Sequence, residues 1–268
     1  MKKISVLGCG WLGLPLAKDL IKKGYKVKGS TTSEDKLNLL KQKGIEAFKI
    51  KISEKIIEGH IEGFLKDSEI LIINIPPRLR QNPNANHVAE VQNLIPYIER
   101  STVSKVFFVS STSVYKDDFN FPKINNNTIP NATSNNGRQL YEVEQLLQGS
   151  TAFKTTVIRC SGLFDTHRHP GYFLSGKSNI KNPEAPINLI HQLDVITVIV
   201  KLLQRSDHIE VINLSYPYHP SKKIYYTEFC KSKNIILPNF NDDKKSQGKI
   251  IHSKFVEQLL DYKLEFKP

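Results

Sequence analysis

Close to the start of the chain, Gly8-Cys9-Gly10-Trp11-Leu12-Gly13 spells G-x-G-x-x-G. It follows a short apolar strand pattern, Ile4-Ser5-Val6-Leu7. It opens a helical stripe of Leu12, Leu16, Ala17, Leu20 and Ile21. Each glycine has a reason to be there. Gly8 permits the tight turn, Gly10 lets a pyrophosphate approach the backbone, and Gly13 lets the helix pack close to the sheet. Free N–H groups at the helix N-terminus then face the phosphates. A strand, this loop and a helix in that order commit the first residues to a βαβ unit.

The rest of the chain continues the alternation. Strands are predicted at 26–29, 45–50, 69–75, 105–110 and 155–159, and helices at 34–43, 87–100 and 137–147. The apolar runs Ile70–Ile73 and Val106–Val109 suit strands covered on both faces, as in a parallel sheet. The fold class is α/β, a Rossmann-type doubly wound parallel sheet with a small C-terminal α/β lobe. Residues 1–160 form the dinucleotide-binding domain. Residues 161–268 form the lobe, with part of 185–215 returning to the sheet. Within the lobe, a helix at 194–203, a strand at 211–214 and a tail helix at 253–260 are expected.

Charge narrows the partners. The 268 residues carry a formal +12, and the first sixty hold thirteen lysines against six acids. No dense basic run or interleaving of arginines with aromatics appears. The excess reads as a solvated lysine surface, with a share beside a phosphorylated small molecule. A small-molecule substrate is expected, with no nucleic acid and no membrane, on a monomer or homodimer. No apolar run approaches the ~20 residues of a membrane span. Cys9, Cys160 and Cys230 have no disulfide or metal-site spacing, so a cytoplasmic location and no metal are expected.

The end of the second strand discriminates between cofactors. A carboxylate there would bind the ribose 2′-hydroxyl of NAD. The sequence is instead Gly29-Ser30-Thr31-Thr32-Ser33, with Lys36 nearby. Hydroxyls, amides and a lysine favour NADP, with NAD the alternative. Ser33 before Glu34 would also cap the following helix. The cofactor-binding candidates are Gly8, Cys9, Gly10, Trp11, Leu12, Gly13, Ser30, Thr31, Thr32, Lys36, and Asn74 and Pro76 at the end of the fourth strand.

Ser110-Ser111-Thr112-Ser113-Val114-Tyr115 ends the fifth strand, where ligands of open parallel sheets bind. This run resembles the S-S-x-x-V-Y-G signature of the extended short-chain dehydrogenase/reductase superfamily, the sugar-nucleotide epimerases and dehydratases. Lys116 stands in place of its glycine. Asn188 through Val195, Arg159 before Gly162, and Ser253-Lys254 also resemble that family. Within it the chain is most similar to the YeeZ-like NAD(P)-binding subgroup. That likeness rests on the glycine loop, Ser110–Tyr115, Asn136-Gly137-Arg138, Arg168-His169-Pro170-Gly171 and Gly248-Lys249-Ile250-Ile251.

The resemblance implies a catalytic role for Ser111. It also implies a Tyr-x-x-x-Lys acid/base pair, but Asn136 and Leu140 fall on those two positions. An amide supplies no proton at neutral pH. Tyr115 and Arg138 are the candidate substitutes beside Ser111. Thr112, Ser113, Arg168, His169 and His191 are the candidate substrate contacts. The function expected is redox chemistry on a small polar or nucleotide-linked substrate. The alternative is a non-catalytic dinucleotide sensor or interaction module. A hydroxyacid-type dehydrogenase ranks last, since residues 160–268 are too rich in proline and strand-like segments for its helical second domain.

Overall fold

The computed structural model describes residues 2–79 and 82–268. Seven strands form the central sheet: β1 Lys3–Leu7, β2 Lys26–Thr31, β3 Glu46–Lys49, β4 Ile70–Ile73, β5 Lys105–Ser111, β6 Lys154–Cys160 and β7 Val211–Leu214. Their spatial order is β3-β2-β1-β4-β5-β6-β7, and every neighbouring pair is parallel. The chain therefore winds outward from β1 in one direction and returns to wind outward from β4 in the other. The crevice between the carboxyl ends of β1 and β4 is the topological switch point, where such sheets bind ligands.

Helices cover both faces. On one lie α1 (Gly13–Lys22), α7 (Gln192–Leu203) and α9 (Lys254–Leu260). Leu16, Ala17 and Leu20 of α1 meet Ile4 and Val6 of β1 and Val195, Val198 and Ile199 of α7, all fully buried. On the other lie α3 (Ile61–Leu65), α4 (His87–Glu99) and α5 (Asn135–Gln148). Phe64, Val91, Leu94 and Val143 close that face over Leu71, Ile73 and Phe108. Each such side chain contributes about 1.5–3 kcal/mol by leaving water. Two-sided coverage explains why β4 reads as an unbroken Ile-Leu-Ile-Ile run. Helix α2 (Asp35–Gln42) follows β2 and buries only Leu40.

Helix α5 starts two residues before the sequence pattern suggests. Ser134 caps it by accepting a hydrogen bond from Gly137 N at 3.2 Å. A capping hydroxyl sets a helix start independently of the apolar period. After β6 the elements shorten. Helix α6 spans Pro170–Leu174, and α8, Lys222–Ser232, was not evident from apolar spacing. Gly162–Phe164 pairs with Leu189–His191, and Ile250–Ile251 pairs with Lys123–Ile124. Phe164, Ile187, Leu189, Tyr225 and Tyr226 make a third, small core. Buried Asp194 accepts hydrogen bonds from Tyr262 Oη, Glu265 N and Phe266 N, which fastens the tail to α7. Among the described residues, no helix is long and apolar enough to cross a membrane.

Candidate functional site

The glycine loop lies at the switch point. Gly8 has φ +100°, and a Cβ there would stand 2.5 Å from the Asn74 carbonyl oxygen. A Cβ on Gly13 would stand 2.1 Å from the Gly8 carbonyl oxygen. Both contacts are closer than real side chains make, so these two glycines are structural. At Gly10 a Cβ would meet nothing within 4 Å. The side-chain-free surface at Gly10 therefore faces open space.

Two neighbours hold the loop in shape. Ser30 Oγ accepts from Gly8 N at 2.9 Å, and Asn74 Nδ2 donates to Gly8 O at 3.1 Å. Helix α1 has no side-chain cap and no acid in its first turn. Its N-terminal field is left for an anion.

A cleft of about 210 Å³ opens over this loop. Gly8, Cys9 and Gly10 form its floor, with Asn74 and Pro76 from the end of β4 on one side. Ser30, Thr31, Thr32 and Lys36 close the end over β2. Ile50, Ile52, Arg78 and Glu90 complete the wall. None of these four is marked by a sequence motif. Ile50 links β3 to a short hairpin strand that carries Ile52, and Glu90 comes from α4.

The side chains of two loop candidates are buried. Leu12 is 3% exposed and belongs to the core. The Cys9 thiol is buried behind the loop, and burial pushes its pKa up to about 12. It is inert at neutral pH.

Trp11 turns toward the lobe. Its Nε1 donates to Asp165 Oδ2 at 2.7 Å, and its carbonyl accepts from Gln192 Nε2 at 2.8 Å. The Arg168 guanidinium lies 5.1 Å from the Trp11 ring centroid, within cation–π range. Burial works to raise the Asp165 carboxyl. Hydrogen bonds from the backbone N–H groups of Arg168 and His167 and from Trp11 outweigh it and hold its pKa below the ordinary value. A carboxyl depressed in the folded state stabilises above its unfolded pKa and loses that contribution as pH falls through the folded one. Trp11 is the sole tryptophan. Its emission should therefore hold steady through the ordinary carboxyl range and shift red only at more acid pH, as Asp165 is protonated in the fold. Asp165→Ala should show the shifted spectrum already at pH 7.

The serine run forms a second cluster. Ser111 ends β5, and its Oγ accepts from Ser113 N at 3.1 Å. Ser113 Oγ accepts from Asn136 Nδ2 at 3.2 Å. Both hydroxyls are half-buried, with their own protons uncommitted in these bonds. Thr112 is buried beneath them, Leu140 lies in the core, and Arg138 is exposed on α5.

Three sequence candidates make contacts within the fold. Tyr115 is 1% exposed, and its hydroxyl is held by Arg159 Nη1 at 2.5 Å and Asn213 Oδ1 at 3.1 Å. Arg159 in turn forms a buried pair with Glu144, which also accepts from Ser110 Oγ. Tyr115 thus belongs to a buried polar network with its hydroxyl bonded on both sides.

His169 Nδ1 accepts from Gly171 N and Nε2 meets Tyr225 Oη at 2.8 Å, while the ring stacks on Phe229. Burial, with a smaller effect of Lys233, pushes its pKa down to about 4. Both nitrogens are in use, so it is a structural cap of α6. His191 caps α7 through Nδ1 and stacks on Phe266, with its pKa lowered mainly by burial. Among the described residues, no group of three His, Cys, Asp or Glu side chains is placed to hold a metal.

A parallel sheet with this strand order and a glycine loop at its switch point defines a Rossmann-like nucleotide-binding protein. Residues 8–206 match the family described as NAD(P)H-binding, and the chain belongs to that family. It is 30% identical to Protein YeeZ of Escherichia coli strain K12, over 99% of this chain and 97% of that protein. The fold is similar to UDP-glucuronic acid 4-epimerase from Bacillus cereus in complex with NAD. That likeness has a TM-score of 0.79 at 16% identity, covering 99% and 94% of the two chains. It is also similar to a functionally unknown conserved protein from Silicibacter pomeroyi, at TM-score 0.78 and 18% identity over 100% and 95%.

Proposed function

We propose that this chain is an NADP-dependent enzyme of the epimerase or reductase kind, acting on a small polar or nucleotide-linked substrate in the cytoplasm. The residues fit the cofactor. Gly10 leaves room for a pyrophosphate above the α1 N-terminus. Ser30, Thr31, Thr32 and Lys36 surround the end where a 2′-phosphate would lie. When bound, the nicotinamide supplies or accepts a hydride.

One observation carries the NADP preference. The carboxylate nearest the end of β2, Glu34, is drawn away to Lys49 Nζ at 2.7 Å. Lys36 and Arg78 remain as positive groups on the cleft. NADPH should therefore bind at least about tenfold more tightly than NADH, and Lys36→Glu should erase the difference. A fluorescence titration in which NADH binds more tightly overturns the preference.

Ser111 and Ser113 are the groups we assign to the substrate. Their free protons can donate to a carbonyl oxygen and polarise it. Tyr115 and both nitrogens of His169 are tied into the fold and His191 Nδ1 caps α7, so we assign the proton to water. Arg168, exposed on the Trp11 ring, is suited to an anionic part of the substrate. Single-turnover loss of NADPH absorbance with carbonyl compounds tests the chemistry. Ser111→Ala should slow it by about a hundredfold. Binding of NADPH with no turnover of any carbonyl class would instead fit a dinucleotide sensor. The free, buried state of Cys9, Cys160 and Cys230 supports a reducing compartment.

A further inference from the structure

We propose that Glu90 reads the base of the dinucleotide, selecting adenine through its 6-amino group. The proposal rests on the dinucleotide reading above and assigns a residue outside the glycine loop and the β2 end.

Glu90 sits on the first turn of α4, which is tied to the segment after β3. Asn86 N donates to Glu54 Oε1 at 2.8 Å. Asn93 Nδ2 donates to the carbonyls of Ser53 at 3.1 Å and Glu54 at 2.9 Å. These bonds hold Glu90 beside Ile50 and Ile52, and all three line the cleft. The sheet order puts β3 outside β2. The wall therefore lies beyond Thr32 and Lys36, on the side where the base extends. Two isoleucines offer apolar faces to a flat ring. Among the described residues near the cleft mouth, Glu90 adds a pure hydrogen-bond acceptor.

The carboxylate is held in place. His87 is fully buried, and its Nδ1 lies 2.9 Å from Glu90 Oε2. A carboxylate only accepts, so Nδ1 is the donor. His87 Nε2 is then left buried without a partner, a costly arrangement. Fixing Oε2 explains why the ring is kept there. No hydrogen bond from a described residue engages Oε1, which is left for a ligand. A phosphate would be repelled by it, whereas an amino group would donate to it. A purine with a 6-oxo group would present an acceptor to an acceptor.

The test is an equilibrium titration with whichever of NADPH and NADH binds more tightly, against its hypoxanthine (6-oxo) analogue. Wild type should prefer the adenine form by at least about tenfold. Glu90→Gln, whose amide can also donate, should bring the two within about threefold. His87→Phe should narrow the ratio in the same direction, which a merely structural role would not do. Equal affinities in wild type, or an unchanged ratio in Glu90→Gln, overturn this assignment alone. Failure of both dinucleotides to bind overturns it together with the dinucleotide reading.

Discussion

Glu144→Ala should cost about 3–5 kcal/mol of stability, the largest loss expected from any single truncation outside the apolar core. Glu144 is fully buried and Arg159 is 3% exposed. Arg159 Nη2 meets Glu144 Oε2 at 2.6 Å, and its Nε is 3.1 Å from both carboxylate oxygens. Removing the carboxylate strands a guanidinium in the interior and leaves the Ser110 hydroxyl without its acceptor. The melting temperature should fall by roughly 6–20 °C. Glu144→Leu combined with Arg159→Met should be less destabilising than Glu144→Ala, because no charge is then left unpaired. Tyr115→Phe should cost only about 1 kcal/mol. Thermal unfolding of the four proteins checks the order. A Glu144→Ala protein as stable as wild type would contradict the network.

The second large effect separates two glycines of one motif. Gly10→Val should leave the melting temperature nearly unchanged, since its Cβ meets nothing within 4 Å. It should nevertheless weaken dinucleotide binding about a hundredfold or more, equivalent to about 2.8 kcal/mol. Gly13→Ala should do the reverse first. Its Cβ would stand 2.1 Å from the Gly8 carbonyl oxygen, so the loop or the helix must shift. A loss of more than about 2 kcal/mol is expected, with binding lost as a consequence. Thermal unfolding and ligand titration on both variants read these separately. Equal loss of stability in both would mean that the Gly10 surface is packing and not binding surface.

The first 160 residues were legible because their physics is local. The apolar stripe of α1 and the continuous runs in β4 and β5 state their burial in the sequence itself. The glycine loop was legible for the same reason, since its spacing specifies a backbone shape. The network around Tyr115 was not legible because its partners are distant in sequence. Arg159 and Asn213 come from β6 and β7, and only the parallel register brings them to its hydroxyl. Glu90, Ile50 and Ile52 were not visible as site residues for a related reason. The bonds from Asn86 and Asn93 that fold α4 over the β3 exit follow no motif. The two histidines of the lobe were read by residue type. Their Nδ1 atoms accept the capping hydrogen bonds of α6 and α7. In the C-terminal part the elements are short, and two-residue strands such as Ile250–Ile251 exist only because a distant partner pairs with them.

The cleft over Gly10 is proposed to hold an NADP-type dinucleotide. Isothermal titration of NADPH into the purified chain tests it most directly. One site per chain is predicted, with heat that disappears in Gly10→Val while that variant melts like wild type. A wild-type chain that takes up no dinucleotide, or a Gly10→Val chain that binds it equally well, would contradict the claim.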